Sequence, residues 1–289
     1  MPERQANLAA SIRARLLNHA RAHDQAFDLV LTRYVLERLL YRLSRSPAAG
    51  RFVLKGAVLM MTWFDAPHRG TRDLDLLGFG DPDADALLRL FRELLFSPAD
   101  DGVEFDAAAL RADAIRKEGE YGGVRLRTNA TLDGARIRVT IDIGFGDAIE
   151  PGLDLIDYPV LLDLPHPRLR AYARETVVAE KFQAMVALGR ANSRMKDFYD
   201  IWMLSRTHEF DAERLARAIA ATFERRRTPI PTAVPDALTP AYAADAGKQA
   251  QWRAFAADVE RAPAALDDVV AHLAAFLMPH AANARALVV

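Results

Sequence analysis

The segment Asp73-Leu74-Asp75-Leu76-Leu77 allows few folds. Acidic and apolar residues alternate, the period of a strand with one face buried. Residues i and i+2 of a strand share a face, so both carboxylates project together while Leu74 and Leu76 point into a core. Neighbouring carboxylates repel unless a cation lies between them, and their oxygens suit a hard ion such as Mg²⁺. A solvated strand face carries the same pattern, so the pair alone decides little. Asp142, in Val139-Thr140-Ile141-Asp142-Ile143, adds a third carboxylate, because Val139, Ile141 and Ile143 take the core side and Asp142 faces away with Arg138 and Thr140. If the two strands pair, three carboxylates converge, an arrangement that holds two divalent ions ~3.5–4 Å apart for in-line phosphoryl transfer. One ion would activate the attacking hydroxyl and the other would stabilise a pyrophosphate leaving group. Asp147 competes for the third position, but it follows Gly144-Phe145-Gly146 and reads as a turn residue.

Upstream, the short strand Phe52-Val53-Leu54 runs into Lys55-Gly56-Ala57 and an apolar helix through about Phe64. Backbone N–H groups at such a junction bind phosphate, a glycine permits close approach, and Lys55 is placed to add positive charge. A single glycine there is also an ordinary turn; the order strand, Gly56-Ala57, helix, strand, Asp73-x-Asp75 carries the argument. Two helices precede it, roughly 4–22 and 27–45, broken by Ser46-Pro47-Ala48-Ala49-Gly50. A loop with Pro67 and Gly70 leads into the Asp73 strand, which runs to Phe79, and Asp81-Pro82-Asp83 caps a helix to about Phe96. Residues 103–146 read as strands, with Asp133-Gly134 between two alternating runs marking a hairpin. From about 174 the periodicity is helical: 174–189, 195–206, 211–226, about 247–258 and 264–278, with a Pro-bearing linker at 228–240. The class is α+β, with N-terminal helices, a small mixed sheet and a C-terminal helical lobe. The boundary falls between 1–172 and 173–289.

The chain contains no cysteine, which excludes thiolate catalysis, disulfides and Cys-based zinc sites. Its seven histidines show no metal-ligand spacing, and His68 and His166 sit near prolines in loops. No apolar segment is long enough to span a membrane and no signal peptide opens the chain, so a cytoplasmic location is expected. The net charge of −1 conceals a basic start, with nine arginines among residues 1–51 against Glu3, Asp24, Asp28 and Glu37. That segment is either a basic face for nucleic acid or a pair of solvated helix faces. Arg225-Arg226-Arg227 ends a helix, where positive charge suits the dipole.

The order of the central motifs resembles the signature of the DNA-polymerase-β-like nucleotidyltransferases: a strand, a Gly-Gly or Gly-Ser junction, Asp-x-Asp, and a third Asp from a later strand. Phe52-Val53-Leu54-Lys55-Gly56-Ala57 with Thr71-Arg72-Asp73-Leu74-Asp75 looks more specifically like the AbiEii toxin family. Glu175-Thr176-Val177-Val178-Ala179-Glu180-Lys181 and Ser193-Arg194-Met195-Lys196-Asp197-Phe198-Tyr199-Asp200 look like that family's two C-terminal motifs, so the resemblance spans about 30–205. Two departures stand out: Ala57 replaces the usual second Gly or Ser, and the gap to Asp73 is a few residues longer. The resemblance implies a polymerase-β-like core with NTP as substrate and Mg²⁺ on Asp73, Asp75 and Asp142. It implies nucleotide contacts from Lys55, Gly56, Ala57, Thr71 and Arg72, and, around the cleft, from Arg194, Lys196, Asp197 and Asp200, with Lys181 reaching triphosphate oxygens. Read from the residues alone, Lys181 is a partner for nearby acids or a snorkelling surface lysine, and Lys196 with Asp200 an i,i+4 pair. The resemblance further implies the toxin of a toxin–antitoxin or phage-defence pair, an AbiEi-type antitoxin and tRNA as acceptor. A protein or small-molecule hydroxyl, or nucleotide binding without turnover, are the alternatives. Thr71 stands where a phosphate group would repel nucleotide.

Overall fold

The computed structural model describes residues 2–64, 69–115 and 122–288; the expected loop residues Pro67 and His68 lie outside the described residues. The chain divides into two compact units, one of residues 1–146 with 154–171 and one of 147–153 with 172–289. No described helix is long and apolar enough to cross a membrane.

The first unit begins with α1 (Pro2–Ala22) and α2 (Phe27–Arg45), followed by β1 (Phe52–Lys55), α3 (Gly56–Met60), β2 (Asp73–Gly78) and α4 (Ala84–Phe96). The α4 N-cap is Asp83, whose carboxylate accepts from the Ala86 N–H. Then come β3 (Glu104–Phe105), β4 (Arg111–Ile115), β5 (Gly123–Leu132), β6 (Ala135–Phe145), β7 (Leu153–Asp157) and β8 (Arg168–Tyr172). They form one mixed sheet in the order β3-β5-β6-β2-β1-β8-β7, with β4 also paired to β5. β7 and β8 add two strands to those the alternation predicts; Leu153–Asp157 has no buried residue, so its hydrophobic pattern carries no two-residue period. The expected helix through Phe64 is shorter. After Met60 the backbone bonds step to i−3, and the Thr62 hydroxyl binds the Leu59 carbonyl at 2.8 Å, closing the helix.

The β5–β6 hairpin turns at Asp133-Gly134 as the sequence predicts, with φ of 44° and 76°, the left-handed pair that a two-residue turn requires. Its register then follows: Ile137, Val139, Ile141 and Ile143 are buried, while Arg136, Arg138 and Asp142 lie on the other face. α2 packs on β6, and Leu36, Leu39, Leu40 and Leu43 are buried there.

Two of the nine N-terminal arginines are core residues, so neither adds to any basic surface that α2 presents. Arg42 donates to both oxygens of Asp101, at 2.6 and 3.1 Å, and to the carbonyls of Arg38, Ser97 and Val103. Arg38 lies 3.1 Å from Glu37, both fully buried, and Glu37 also accepts from the Leu161 N–H at 2.9 Å. Burial pushes the Glu37 carboxyl up to about 7, against the pull of the Arg38 guanidinium and the Leu161 N–H. In the unfolded chain the same carboxyl ionises near its ordinary 4.5. Between those two pH values the folded protein holds a proton that the unfolded chain has released. The contribution to stability is therefore complete at low pH and is lost as pH rises through about 7. Glu37→Gln stays neutral throughout, so it is expected to flatten this part of the pH–stability curve. Urea unfolding at several pH values reads it, and parallel curves for the two proteins would show that Glu37 holds no such proton.

The second unit holds α5 (Arg174–Leu188), α6 (Met195–Thr207), α7 (Ala212–Arg225), α8 (Pro240–Ala243), α9 (Ala246–Ala256) and α10 (Leu266–Ala286). α10 continues past the expected end at 278 through Pro279. Proline costs an interior backbone bond, but Ala281 and Ala284 beyond it are fully buried and hold the last turns in place. Asp147, the competing third carboxylate, belongs here: it pairs with Arg226 at 3.1 Å, which also contacts Glu180 at 3.1 Å. Arg226 is thus an internal tie, held by two acids.

Candidate active site

β2 lies between β1 and β6, antiparallel to the first and parallel to the second. The registers align four charged residues in one row across four strands: Lys55 opposite Asp75, Asp75 opposite Asp142, and Asp142 opposite Arg125. Partners in register share a face of the sheet, so the row reads cation, carboxylate, carboxylate, cation. One step along β2, Asp73 lies opposite Thr140, itself opposite Arg127. The sequence-based convergence of Asp73, Asp75 and Asp142 on one surface is what this parallel β2–β6 pairing produces.

Gly56 follows Lys55 at the β1–α3 junction with φ +71°, in the left-handed region. A Cβ built there would lie 2.6 Å from Asp75 Cγ and 2.7 Å from its Cβ. Glycine is needed at this position twice over, once for the backbone and once because the Asp75 side chain rests directly against it. Gly56→Ala is expected to cost ~1–2 kcal/mol of stability from the backbone alone. It should cost far more in activity, because the new methyl displaces Asp75. Denaturant unfolding and a nucleotidyl-transfer assay on the same preparation would compare the two; unchanged turnover would show that Asp75 need not occupy this position. Ala57 is buried.

Arg125 grips Asp142 with both arms, Nε to Oδ1 and Nη2 to Oδ2, each at 2.6 Å. The hydrogen bond to Asp142 raises the Arg125 pKa, burial opposes it, and the fields of Asp142, Asp73 and Asp75 add to the rise. Arg125 therefore feels all three carboxylates. Sequence reasoning passed it over, although the signal was present: Arg125 stands eight residues before Asp133 and Asp142 eight after Gly134, and a two-residue hairpin pairs such positions.

Asp73 and Asp75, side by side on β2, fit a single hard divalent cation completed by water or phosphate oxygens. The three-carboxylate set does not fit as it stands, because Arg125 holds both oxygens of Asp142. Among the described residues, no cluster of three or more His, Cys, Asp or Glu is disposed to bind a metal. Thr71 is half-buried, its hydroxyl 3.4 Å from the Asp73 carbonyl, and the exposed Arg72 pairs with Asp28 of α2 at 2.6 Å.

In the second unit, Lys181 on α5 binds Asp197 at 2.6 Å and Asp200 at 2.9 Å, both on α6. All three are largely buried, Asp200 completely. Asp197 and Asp200 are three apart and share a helix face, so one ammonium reaches both. Asp200 thus meets Lys181 rather than Lys196, which is exposed, as is Arg194.

The chain is similar to two crystal structures. One is a candidate nucleotidyltransferase from H. pylori, 14% identical with a TM-score of 0.49, covering 89% of this chain and 96% of the other. The second is JHP933 from Helicobacter pylori, 15% identical with a TM-score of 0.46, covering 89% and 92%. At that level of similarity neither bears on the chemistry of the site. No functionally curated protein matches the sequence. The sequence profile of the family described as "Nucleotidyl transferase AbiEii toxin, Type IV TA system" matches residues 38–272, which takes in the Gly56 junction, all three carboxylates and the Lys181 cluster. The chain belongs to the AbiEii nucleotidyltransferase toxin family.

Proposed function

We propose that the protein transfers a nucleoside monophosphate from an NTP to the 3′ hydroxyl of tRNA, releasing pyrophosphate and so blocking translation. The observation that carries this reading is the cross-strand row Lys55–Asp75–Asp142–Arg125 with Asp73 beside it. Such a row offers carboxylates for a cation at its centre and positive charge for phosphate at its ends. Asp73 and Asp75 would hold Mg²⁺, whose chemistry is to neutralise charge on the triphosphate and acidify the attacking hydroxyl. Asp142 stands beside Asp75 to complete the metal set on leaving Arg125, or to receive the hydroxyl proton. Lys55 and the backbone of Gly56 and Ala57 would cradle the triphosphate, next to Thr71 and Arg72. Within the second unit, Lys181, held by Asp197 and Asp200, is proposed as a phosphate contact, with Arg194 and Lys196 as further nucleotide contacts. Family membership supports a cytoplasmic toxin acting in phage defence and silenced by an AbiEi-type antitoxin.

The test incubates purified protein with Mg²⁺, total bacterial tRNA and each of the four labelled NTPs separately. Label on the tRNA 3′ end from one NTP, lost on chelation of the metal, is the expected result. No transfer from any NTP by folded protein that binds nucleotide would sink the tRNA assignment and direct the search to a protein or small-molecule hydroxyl.

A further inference from the structure

The face of the sheet that carries the carboxylates continues along the β5–β6 hairpin into an open groove of about 590 Å³ lined by Arg111, Arg127, Arg136, Arg138 and Asn129. All four arginines are exposed. Arg127 pairs with Asp113; among the described residues Arg111, Arg136 and Arg138 have no carboxylate partner. Arg111 and Arg127 stand directly opposite one another in the β4–β5 register, an arrangement of like charges that destabilises a sheet. Arg136 and Arg138 occupy alternate positions of one strand and so face the same way, about 7 Å apart. General basicity does not account for such a cluster, because the whole chain has a net charge of −1. Repelling guanidinium groups collected on an open face fit a polyanion laid across them.

The groove also points at the carboxylates. Arg127 lies opposite Thr140, which lies opposite Asp73, so the near edge of the arginine cluster is two strands from the acidic pair. Farther along β6 come Arg138, opposite Asn129, and then Arg136, opposite Thr131. Cations about 7 Å apart along a strand match the spacing of successive phosphates on a nucleic-acid strand, whereas one triphosphate would fill only part of the run. Asn129 and Thr131 add donors and acceptors between the charges, suited to sugar hydroxyls.

We infer that this hairpin groove binds the phosphodiester backbone of a single-stranded RNA end and leads its 3′ terminus toward Asp73 and Asp75. The inference rests on the reading of the site as one with a polynucleotide acceptor. It places the main RNA contact on Arg111, Arg127, Arg136 and Arg138 rather than on the arginines of the N-terminal helices.

Binding of a fluorescent single-stranded RNA with a free 3′ hydroxyl, measured by anisotropy without NTP or metal, tests it apart from turnover. Arg136→Gln/Arg138→Gln removes two exposed charges; Arg15→Gln/Arg21→Gln, on exposed positions of α1, is the comparison, and thermal melts confirm that both fold. The groove variant is expected to bind at least ~10-fold more weakly, its log affinity–log salt slope shallower by ~0.7 for each phosphate no longer neutralised. The α1 variant should bind within about 2-fold of wild type. Unchanged RNA affinity in the groove variant, no RNA binding by the wild type, or a larger loss in the α1 variant would each overturn the inference. So would displacement of the RNA by inorganic tripolyphosphate with a matching loss of tripolyphosphate affinity in the groove variant, since the groove would then serve the nucleotide. Groove-dependent binding without any transfer to RNA would sustain the inference and sink the tRNA reaction; transfer with unaltered groove-variant binding would do the reverse.

Discussion

Asp75→Asn is expected to abolish nucleotidyl transfer, lowering the rate by at least ~10³, equivalent to ~4 kcal/mol of transition-state stabilisation, while leaving the protein folded. The substitution keeps the shape of the side chain against Gly56 and takes away only its charge. Charge is what the position supplies: Asp75 stands between Lys55 and Asp142 in the cross-strand row and shares the β2 face with Asp73. With Asn there, a single carboxylate remains on β2 to hold a divalent cation, and the row becomes net positive. Transfer of label from NTP, run alongside a thermal melt, makes the comparison. Wild-type turnover by a folded Asp75→Asn protein would remove Asp75 from the metal site. Asp142→Asn serves as a contrast, since it frees Arg125 from its bidentate partner but leaves both β2 carboxylates in place. A smaller loss in that variant would mark Asp142 as the anchor of Arg125 more than a ligand.

Arg42→Ala should be the most destabilising single change at a residue remote from the carboxylates, by ~3–5 kcal/mol. The guanidinium is 3% exposed and Asp101 likewise, so removing one partner strands a charge where water does not reach it. Three backbone carbonyls, those of Arg38, Ser97 and Val103, lose a donor at the same time. The Asp101 backbone also accepts the Tyr34 hydroxyl at 2.7 Å, which ties the same loop to α2. A double-mutant cycle sharpens the expectation: Arg42→Met with Asp101→Asn should cost clearly less than the sum of the single changes, because no unpaired ion is left. Additive losses in urea unfolding would show that the two side chains are not coupled. Since this network fastens α2 and the segment after α4, the damage is to stability, and residual folded protein should retain its catalytic rate.

Local chemistry determined the parts of this protein that the chain reveals without folding. The two-residue period puts Asp73 with Asp75, and Arg125 with Arg127, on the solvent face of their strands whatever surrounds them. Asp133-Gly134 sets the hairpin register, and with it the Arg125–Asp142 pairing, because a two-residue turn leaves no freedom to slip. The end of α2 before Ser46-Pro47 follows from the same short-range rules. Tertiary structure decided the rest. β2 and β6 are separated by more than fifty residues, so only the packing of the sheet could bring Asp142 to Asp75 by parallel pairing. The burial of Arg38 and Arg42 depends on Glu37 and Asp101 being folded against them, and no helical period distinguishes them from the exposed Arg13 or Arg45. Lys181 meets Asp197 and Asp200 because α5 and α6 pack together. The arginine groove exists because three strands lay their outward residues side by side. Spacing along a chain dictates which side chains share a face; which faces become neighbours is settled by the burial of apolar surface across the whole fold, and that is written in no single segment.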